Sequence, residues 1–187
     1  MSLFRTVPVS DWSTLDDRVW EHPGAVVDLG CDPWDWSRVF LGRKRVIGVD
    51  PFAAPVDGAE LFRGVIGPDE GTTTISVDGD ASTILRPKAG SQTVVPMITW
   101  DIFRTRFAIE RIAVLKINVE GSEYDIIRQL AKTKFEGIDQ IVVSFHDFVW
   151  PDLARQTAAS LETLKQGGFT VTPTNTMWRW FHCLRYA

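Results

Sequence analysis

The 187-residue sequence predicts an α/β fold, a mainly parallel sheet closed by an antiparallel C-terminal hairpin. Three observations carry that prediction. Short apolar runs of strand character alternate with helix-periodic stretches, as they do where helices cover a parallel sheet. Two of the runs, Ala25-Val26-Val27-Asp28-Leu29-Gly30 and Leu115-Lys116-Ile117-Asn118-Val119-Glu120-Gly121-Ser122-Glu123, leave an apolar strand through polar residues and a glycine. Open α/β sheets hold their ligands beyond the carboxyl ends of such strands. Finally, the tail alternates with a period of two on either side of Pro173-Thr174-Asn175-Thr176, which reads as two strands and a turn.

The first strand is 25–30, ending in a turn glycine, with a helix over 34–41 after it; the next strand is 45–50, stopped by Pro51. In the middle, 61–66 and 72–77 read as strands, the second bounded by the turn signals Asp69-Glu70-Gly71 and Asp78-Gly79-Asp80. Residues 82–92, with Pro87 and Gly90, read as a loop, and 93–100 as a further strand. The stretch 67–92 is either an excursion on the sheet edge or a flap over the cleft. Residues 112–117 form a central strand and 122–132 a helix whose apolar face is Ile126, Ile127, Leu130 and Ala131. Ser122, with Asp125 three residues on, resembles a capping box. Another buried strand covers 140–145, and a helix over 151–166 ends at Gly167-Gly168. On the last strand Trp178, Trp180, His182, Leu184 and Tyr186 share one face.

This length suits one domain over 1–187, with 1–24 as an N-terminal extension. The net charge of −4 gives no general attraction to nucleic acid or to anionic membrane surfaces. No apolar run approaches the roughly 20 residues that span a bilayer, so neither partner is expected. Cys31 and Cys183 read as free thiols, and the amino terminus lacks the apolar core of a signal peptide; a cytoplasmic location is the default. His22, His146 and His182 are too scattered to make a metal motif, and no metal is expected. The eight tryptophans read mainly as packing residues.

Gly30 follows the first strand and Asp50 ends the second. An acidic residue at that place accepts hydrogen bonds from ribose hydroxyls, in dinucleotide sites and in S-adenosylmethionine sites alike. The loop between them separates the two ligands. In Cys31-Asp32-Pro33-Trp34-Asp35-Trp36, Asp32 suits an N-cap with Pro33 at the first helical position. Two carboxylates there repel a pyrophosphate and compete for the N–H groups it needs. S-adenosylmethionine carries a sulfonium and an ammonium against one carboxylate, so an acidic rim suits it.

Val26-Val27-Asp28-Leu29-Gly30, Val46-Ile47-Gly48-Val49-Asp50 and the run from Leu115 to Glu123 together resemble the FkbM-type family of S-adenosylmethionine-dependent methyltransferases. The family's hallmark is Leu-Lys-Ile-Asp-Val-Glu-Gly-x-Glu, from which this chain departs only in carrying Asn118 for aspartate. Thr99-Trp100-Asp101 is similar to the family's Thr-Leu-Asp, and Val143-Ser144-Phe145-His146-Asp147-Phe148 falls at its next strand end. A second departure is Trp34, where the family loop carries another glycine.

The resemblance implies a Rossmann-like class I methyltransferase fold with a seven-strand sheet. It also implies S-adenosylmethionine as cofactor and transfer of methyl to an oxygen of a sugar or other small-molecule acceptor. On that carry-over Asp28 and Gly30 border the methionine part of the cofactor, with Asp32 on the acidic rim. Asp50 then binds the ribose, and Asn118 and Glu120 lie near the reacting methyl. The acceptor hydroxyl must lose a proton, for which Glu120, His146 and Asp147 are the candidate bases. Glu123 is expected to favour the positive end of its helix, and Lys116, inside an apolar strand, needs a carboxylate partner. The alternative is a non-catalytic S-adenosylmethionine- or nucleotide-binding module that kept the fold. The tail hairpin leaves an exposed side on which a homodimer is an option.

Overall fold

The computed structural model describes residues 6–10, 13–77, 91–175 and 179–185. The chain opens with an antiparallel hairpin, β1 (Thr6–Ser10) and β2 (Ser13–Asp16). Three parallel strands follow, β3 (Ala25–Leu29), β4 (Val46–Val49) and β5 (Ala59–Phe62). A second sheet comes next, from β6 (Val65–Ile66), β7 (Gly71–Val77) and β8 (Ser91–Ile98), in the order β6-β8-β7. Helix α1 (Trp100–Arg106) leads into β9 (Ile112–Ile117), α2 (Glu123–Lys132), β10 (Gln140–Ser144) and α3 (Ala154–Gln166). The antiparallel pair β11 (Phe169–Asn175) and β12 (Trp180–Arg185) closes the sheet.

The main sheet runs β11-β12-β10-β9-β3-β4-β5. From β10 to β5 the strands are parallel, and β12 is antiparallel to both neighbours. The first half grows outward from β3 and the second outward from β9. The point where strand order reverses therefore lies between these two, where a crevice forms beyond the strand ends.

Both faces of the central strands are buried, which explains their near-continuous apolar runs. One face, with Val27, Leu29, Ile47, Leu115, Ile117 and Ile141, packs against residues of all three helices, including Phe103, Ile126, Leu130 and Leu164. The alternate residues Val26, Val46, Val114 and Val142 face Leu15, Val19, Trp34, Trp36, Phe40 and Trp180. Here the cover is a hairpin, two 3-10 turns (Asp17–Trp20 and Ser37–Phe40) and large aromatics. The N-terminal extension is part of that cover: Asp16 N–H donates to Gln140 Oε1 at 3.0 Å, and Gln140 Nε2 returns a bond to Asp16 O at 3.2 Å.

Several elements differ from the sequence-based expectation. Residues 34–41 do not form the expected α-helix: Trp34 has φ 73°, a left-handed conformation that keeps it out of a right-handed helix, and a 3-10 turn over Ser37–Phe40 follows. The expected strand 61–66 is split at Gly64 between two sheets; a Cβ there would lie 2.6 Å from Pro96 O. The strand expected over 93–100 ends at Ile98, and Thr99 caps α1 by accepting from Ile102 N–H at 3.4 Å. Ser122 makes no side-chain cap, so the capping box is absent. Residues 151–153 form a 3-10 turn ahead of α3. Ser91 and Gln92 belong to β8 rather than to a loop; the rest of the expected loop, the Asp78-Gly79-Asp80 turn, Trp178 and Tyr186 lie outside the described residues.

Candidate functional site

A cavity of about 640 Å³ opens at the carboxyl ends of β3, β4 and β9. Gly30, Asp32 and Pro33 line it after β3, Asp50, Pro51 and Phe52 after β4, and Asn118, Val119, Glu120 and Ser122 after β9. Val65, Ile66 and Ile75 of the second sheet complete the wall, so part of the 67–92 excursion borders the cleft. The charged residues among these are all acidic: Asp32, Asp50 and Glu120.

The floor depends on a close approach of two strand ends. Asn118 N–H donates to Leu29 O at 3.1 Å, and Gly30 N–H to Val49 O at 2.8 Å. Gly30 has φ 79°, and a Cβ on it would stand 1.9 Å from Asn118 O. Only glycine allows that contact. Beneath the floor, Lys116 Nζ donates to Asp28 Oδ1 at 2.7 Å and to Gly30 O at 2.6 Å. Asp28 and Lys116 are both buried, and Asp28 is not on the cavity wall. Lys116 thus has the carboxylate partner it requires.

Asp50 holds its own turn and reaches the neighbouring loop. Its Oδ1 accepts from Phe52 N–H at 2.7 Å and Ala53 N–H at 3.1 Å, while Oδ2 lies 3.5 Å from Asp32 N. Asp32 is exposed at the rim. Trp34, two residues on, is buried away from the cavity: its Nε1 donates to Ala54 O at 2.7 Å, and its ring covers Gly48. A Cβ on Gly48 would lie 2.3 Å from that ring, so the glycine in β4 is what admits the indole.

On the β9 side, the structure joins Glu120, His146 and Glu123. His146 Nε2 is 3.1 Å from Glu120 Oε1, and Nδ1 is 2.7 Å from Glu123 Oε1. Burial opposes charge on this imidazole, but the hydrogen bonds and negative charges of the two glutamates prevail and raise its pKa to about 10. Asp147 is directed elsewhere. Its two oxygens accept from Arg179, Nε to Oδ1 at 3.0 Å and an NH2 group to Oδ2 at 2.6 Å, and it does not line the cavity.

The residues at strand ends, Gly30, Asp32, Asp50, Asn118 and Glu120, therefore meet at one cavity, whereas Asp28, His146 and Asp147 do not line it. Sequence reasoning gave Glu123 only a helix-end role; it is fully buried and also accepts from Val119 and Gly121 N–H, each at 3.1 Å. Its signal was the glutamate recurring three residues after Glu120. Phe52 and Ile75 on the wall were not singled out either. Among the described residues no group of three or more His, Cys, Asp or Glu is arranged to hold a metal ion. No helix among them is long and apolar enough to cross a membrane.

The family described as the methyltransferase FkbM domain matches residues 39–171. A solved structure of methyltransferase FkbM from Methylobacillus flagellatus KT is similar to 86% of this chain and 43% of its own, at 13% identity and a TM-score of 0.47. The chain thus spans less than half the length of that protein. No curated protein matches it.

Proposed function

The chain belongs to the FkbM methyltransferase domain family, and from that premise we propose that it moves a methyl group from S-adenosylmethionine to an oxygen of a small-molecule acceptor. The observation that carries the reading is the cavity at the point where strand order reverses, with Gly30, Asp50, Asn118 and Glu120 on its wall. The strand order, with one antiparallel strand inside the C-terminal edge, supports reading the sheet as the class I methyltransferase sheet.

The residues present fit that cofactor. The volume lies within the roughly 300–1,000 Å³ of small-molecule sites. Asp50 puts an acceptor-only carboxylate at the end of β4 for ribose hydroxyls, with Val49, Pro51 and Phe52 as apolar neighbours for a purine. The acidic rim suits a ligand with a sulfonium and an ammonium, and the Trp34 ring does not enter the cavity. When bound, S-adenosylmethionine supplies an electrophilic methyl carbon.

The chain's own part is positioning and proton transfer. In-line displacement rewards fixed orientation, which the rigid Gly30–Asn118 contact provides on the floor. The Asn118 amide offers both a donor and an acceptor for orienting the reactants. The acceptor O–H must give up its proton as its oxygen takes the methyl. Glu120 is the one of the three candidate bases on the cavity wall. His146 is held as an imidazolium near neutral pH, and Asp147 is engaged by Arg179. A positioned base contributes roughly 10²–10⁴-fold. A sugar or other small metabolite is the acceptor class that the family resemblance favours. The two cysteines, both free and buried, support a cytoplasmic setting.

Calorimetric titration with S-adenosylmethionine and S-adenosylhomocysteine tests the reading. Micromolar binding, lost in a folded Asp50→Ala variant, is expected; no binding by the intact protein rejects it. Mass spectrometry of candidate acceptors then reads the gain of one methylene mass. Binding without any such gain across a broad acceptor panel would identify a binding module instead.

A further inference from the structure

We propose that Glu123 and His146 are positioning residues, a buried clamp in which an imidazolium ties the Glu120 carboxylate to the start of α2. The inference takes the task of Glu120 from the proposed methyl transfer; the clamp itself belongs to the ligand-free chain.

Glu123 is the anchor. Its Oε1 accepts from the N–H groups of Val119 and Gly121, the two residues flanking Glu120. The main chain is thereby pinned on both sides of Glu120, which adopts φ 52°, a conformation that side-chain-bearing residues disfavour. Such a conformation persists where its surroundings over-determine it. The same Oε1 meets His146 Nδ1, and the opposite ring nitrogen meets Glu120 Oε1. One carboxylate thus sets both the backbone that carries Glu120 and the ring that holds its side chain.

Between two carboxylates the geometry calls for a doubly protonated ring. A carboxylate only accepts, and a neutral imidazole has a single N–H. In a neutral ring one nitrogen would turn its lone pair on a glutamate oxygen at 2.7 or 3.1 Å. The doubly protonated ring donates to both. Its pKa, raised to about 10, agrees. The rings of Phe148 and Trp150, with centroids 5.5 and 6.3 Å from that of His146, pack around it. Of the other groups nearby, Asp147 pairs with Arg179, and the Tyr124 hydroxyl, kept neutral by burial, bonds Thr157.

Two carboxylates and one imidazolium leave one negative charge, and Glu120 is the member on the cavity wall. A proton taken by Glu120 neutralises that excess, and Glu123 and His146 remain paired. His146 therefore has no proton to accept at neutral pH. It keeps Glu120 aimed.

Nitrogen NMR of histidine-labelled, ligand-free protein tests the clamp, with the His146 signal assigned by its loss in His146→Gln. Both ring nitrogens are expected to stay protonated up to about pH 9, whereas Glu120→Gln or Glu123→Gln moves the titration toward the ordinary histidine range near 6.5. A His146 that titrates near neutrality in the intact protein overturns the proposal. Glu120 is partly exposed, so Glu120→Gln remains informative if Glu123→Gln does not fold. In a folded Glu123→Gln, cofactor affinity is expected to stay within about threefold while kcat falls at least about tenfold, as misorientation predicts. An unchanged kcat in that variant removes the positioning role. Failure of the intact protein to bind cofactor rejects the methyltransferase reading instead and leaves the NMR result standing.

Discussion

Replacing Lys116 with methionine deletes an ammonium from the middle of the sheet while keeping most of the aliphatic stem. Asp28, fully buried, then loses its bond at 2.7 Å, and its Oδ2 has no hydrogen-bond partner among the described residues to begin with. Breaking a buried pair from one side costs about 3–5 kcal/mol, because the remaining charge is stranded. Gly30 O also loses its donor. Against a total stability of about 5–15 kcal/mol for a domain, that loss is at least about a fifth of the whole. At roughly 2–4 °C per kcal/mol for this size, Tm should fall by about 6–20 °C. Removing both charges, in Asp28→Leu with Lys116→Met, exchanges the pair for apolar volume and should recover at least about 2 kcal/mol. Urea unfolding of the intact protein, both single variants and the double variant gives the four free energies of the cycle. A loss below about 1 kcal/mol in Lys116→Met, or additive losses in the double variant, refutes the claim that the pair is a coupled buried unit.

Gly30→Ala should lower thermal stability and weaken cofactor binding together, since its Cβ would stand 1.9 Å from Asn118 O; calorimetric melting and titration that both match the unaltered protein would contradict the close approach. Trp34→Ala and Trp34→Gly each empty a buried indole site, at about 3–5 kcal/mol. The glycine variant should be the more stable of the two by roughly 1 kcal/mol, because Trp34 has φ 73°, and denaturation curves showing alanine ahead would argue against that conformation. His182 is buried, which lowers its pKa from 6.5 to about 4. The unfolded chain therefore takes up this proton before the folded one, so the stability contribution is present above about pH 6.5 and lost as pH falls toward 4. His182→Gln should flatten the acid side of the stability profile measured by urea unfolding. An unchanged acid slope would show that His182 is not buried as a neutral ring.

The parallel strands were legible because their apolar runs are short, rich in β-branched residues and bounded by turn residues, as suits strands buried on both faces of a sheet. Gly30, Asp50, Asn118 and Glu120 were legible for a related reason: they sit one to three residues past a strand end, which is where a parallel sheet presents its ligand groups. What escaped depends on partners far along the chain. The bond between Lys116 and Asp28 spans 88 residues, and that between Glu123 and His146 spans 23. The first is not visible before β3 and β9 take their register, Asp28 opposite Lys116, nor the second before β10 pairs with β9. The segment Trp100–Arg106 begins inside a run that looks like strand, so only the cap at Thr99 and the bond from Trp100 N–H to Gln129 Oε1 reveal its helical state.

The two departures from the family pattern have physical resolutions in the fold. At Trp34 the backbone keeps the left-handed region that glycine would supply, and the ring leaves the cavity to pack on Gly48. The indole becomes part of the cover on the face of the sheet opposite α1, α2 and α3. At Asn118 the floor is made by backbone, through the N–H to Leu29 and the carbonyl beneath Gly30, so the side chain's charge is not what builds the site. An aspartate there would add a fourth carboxylate to a wall that already carries Asp32, Asp50 and Glu120. Asparagine keeps the shape and one oxygen acceptor without adding that charge. With Glu120 held by His146 on the cavity wall, the proposed methyl transfer by positioning and proton removal does not call on an anion at residue 118.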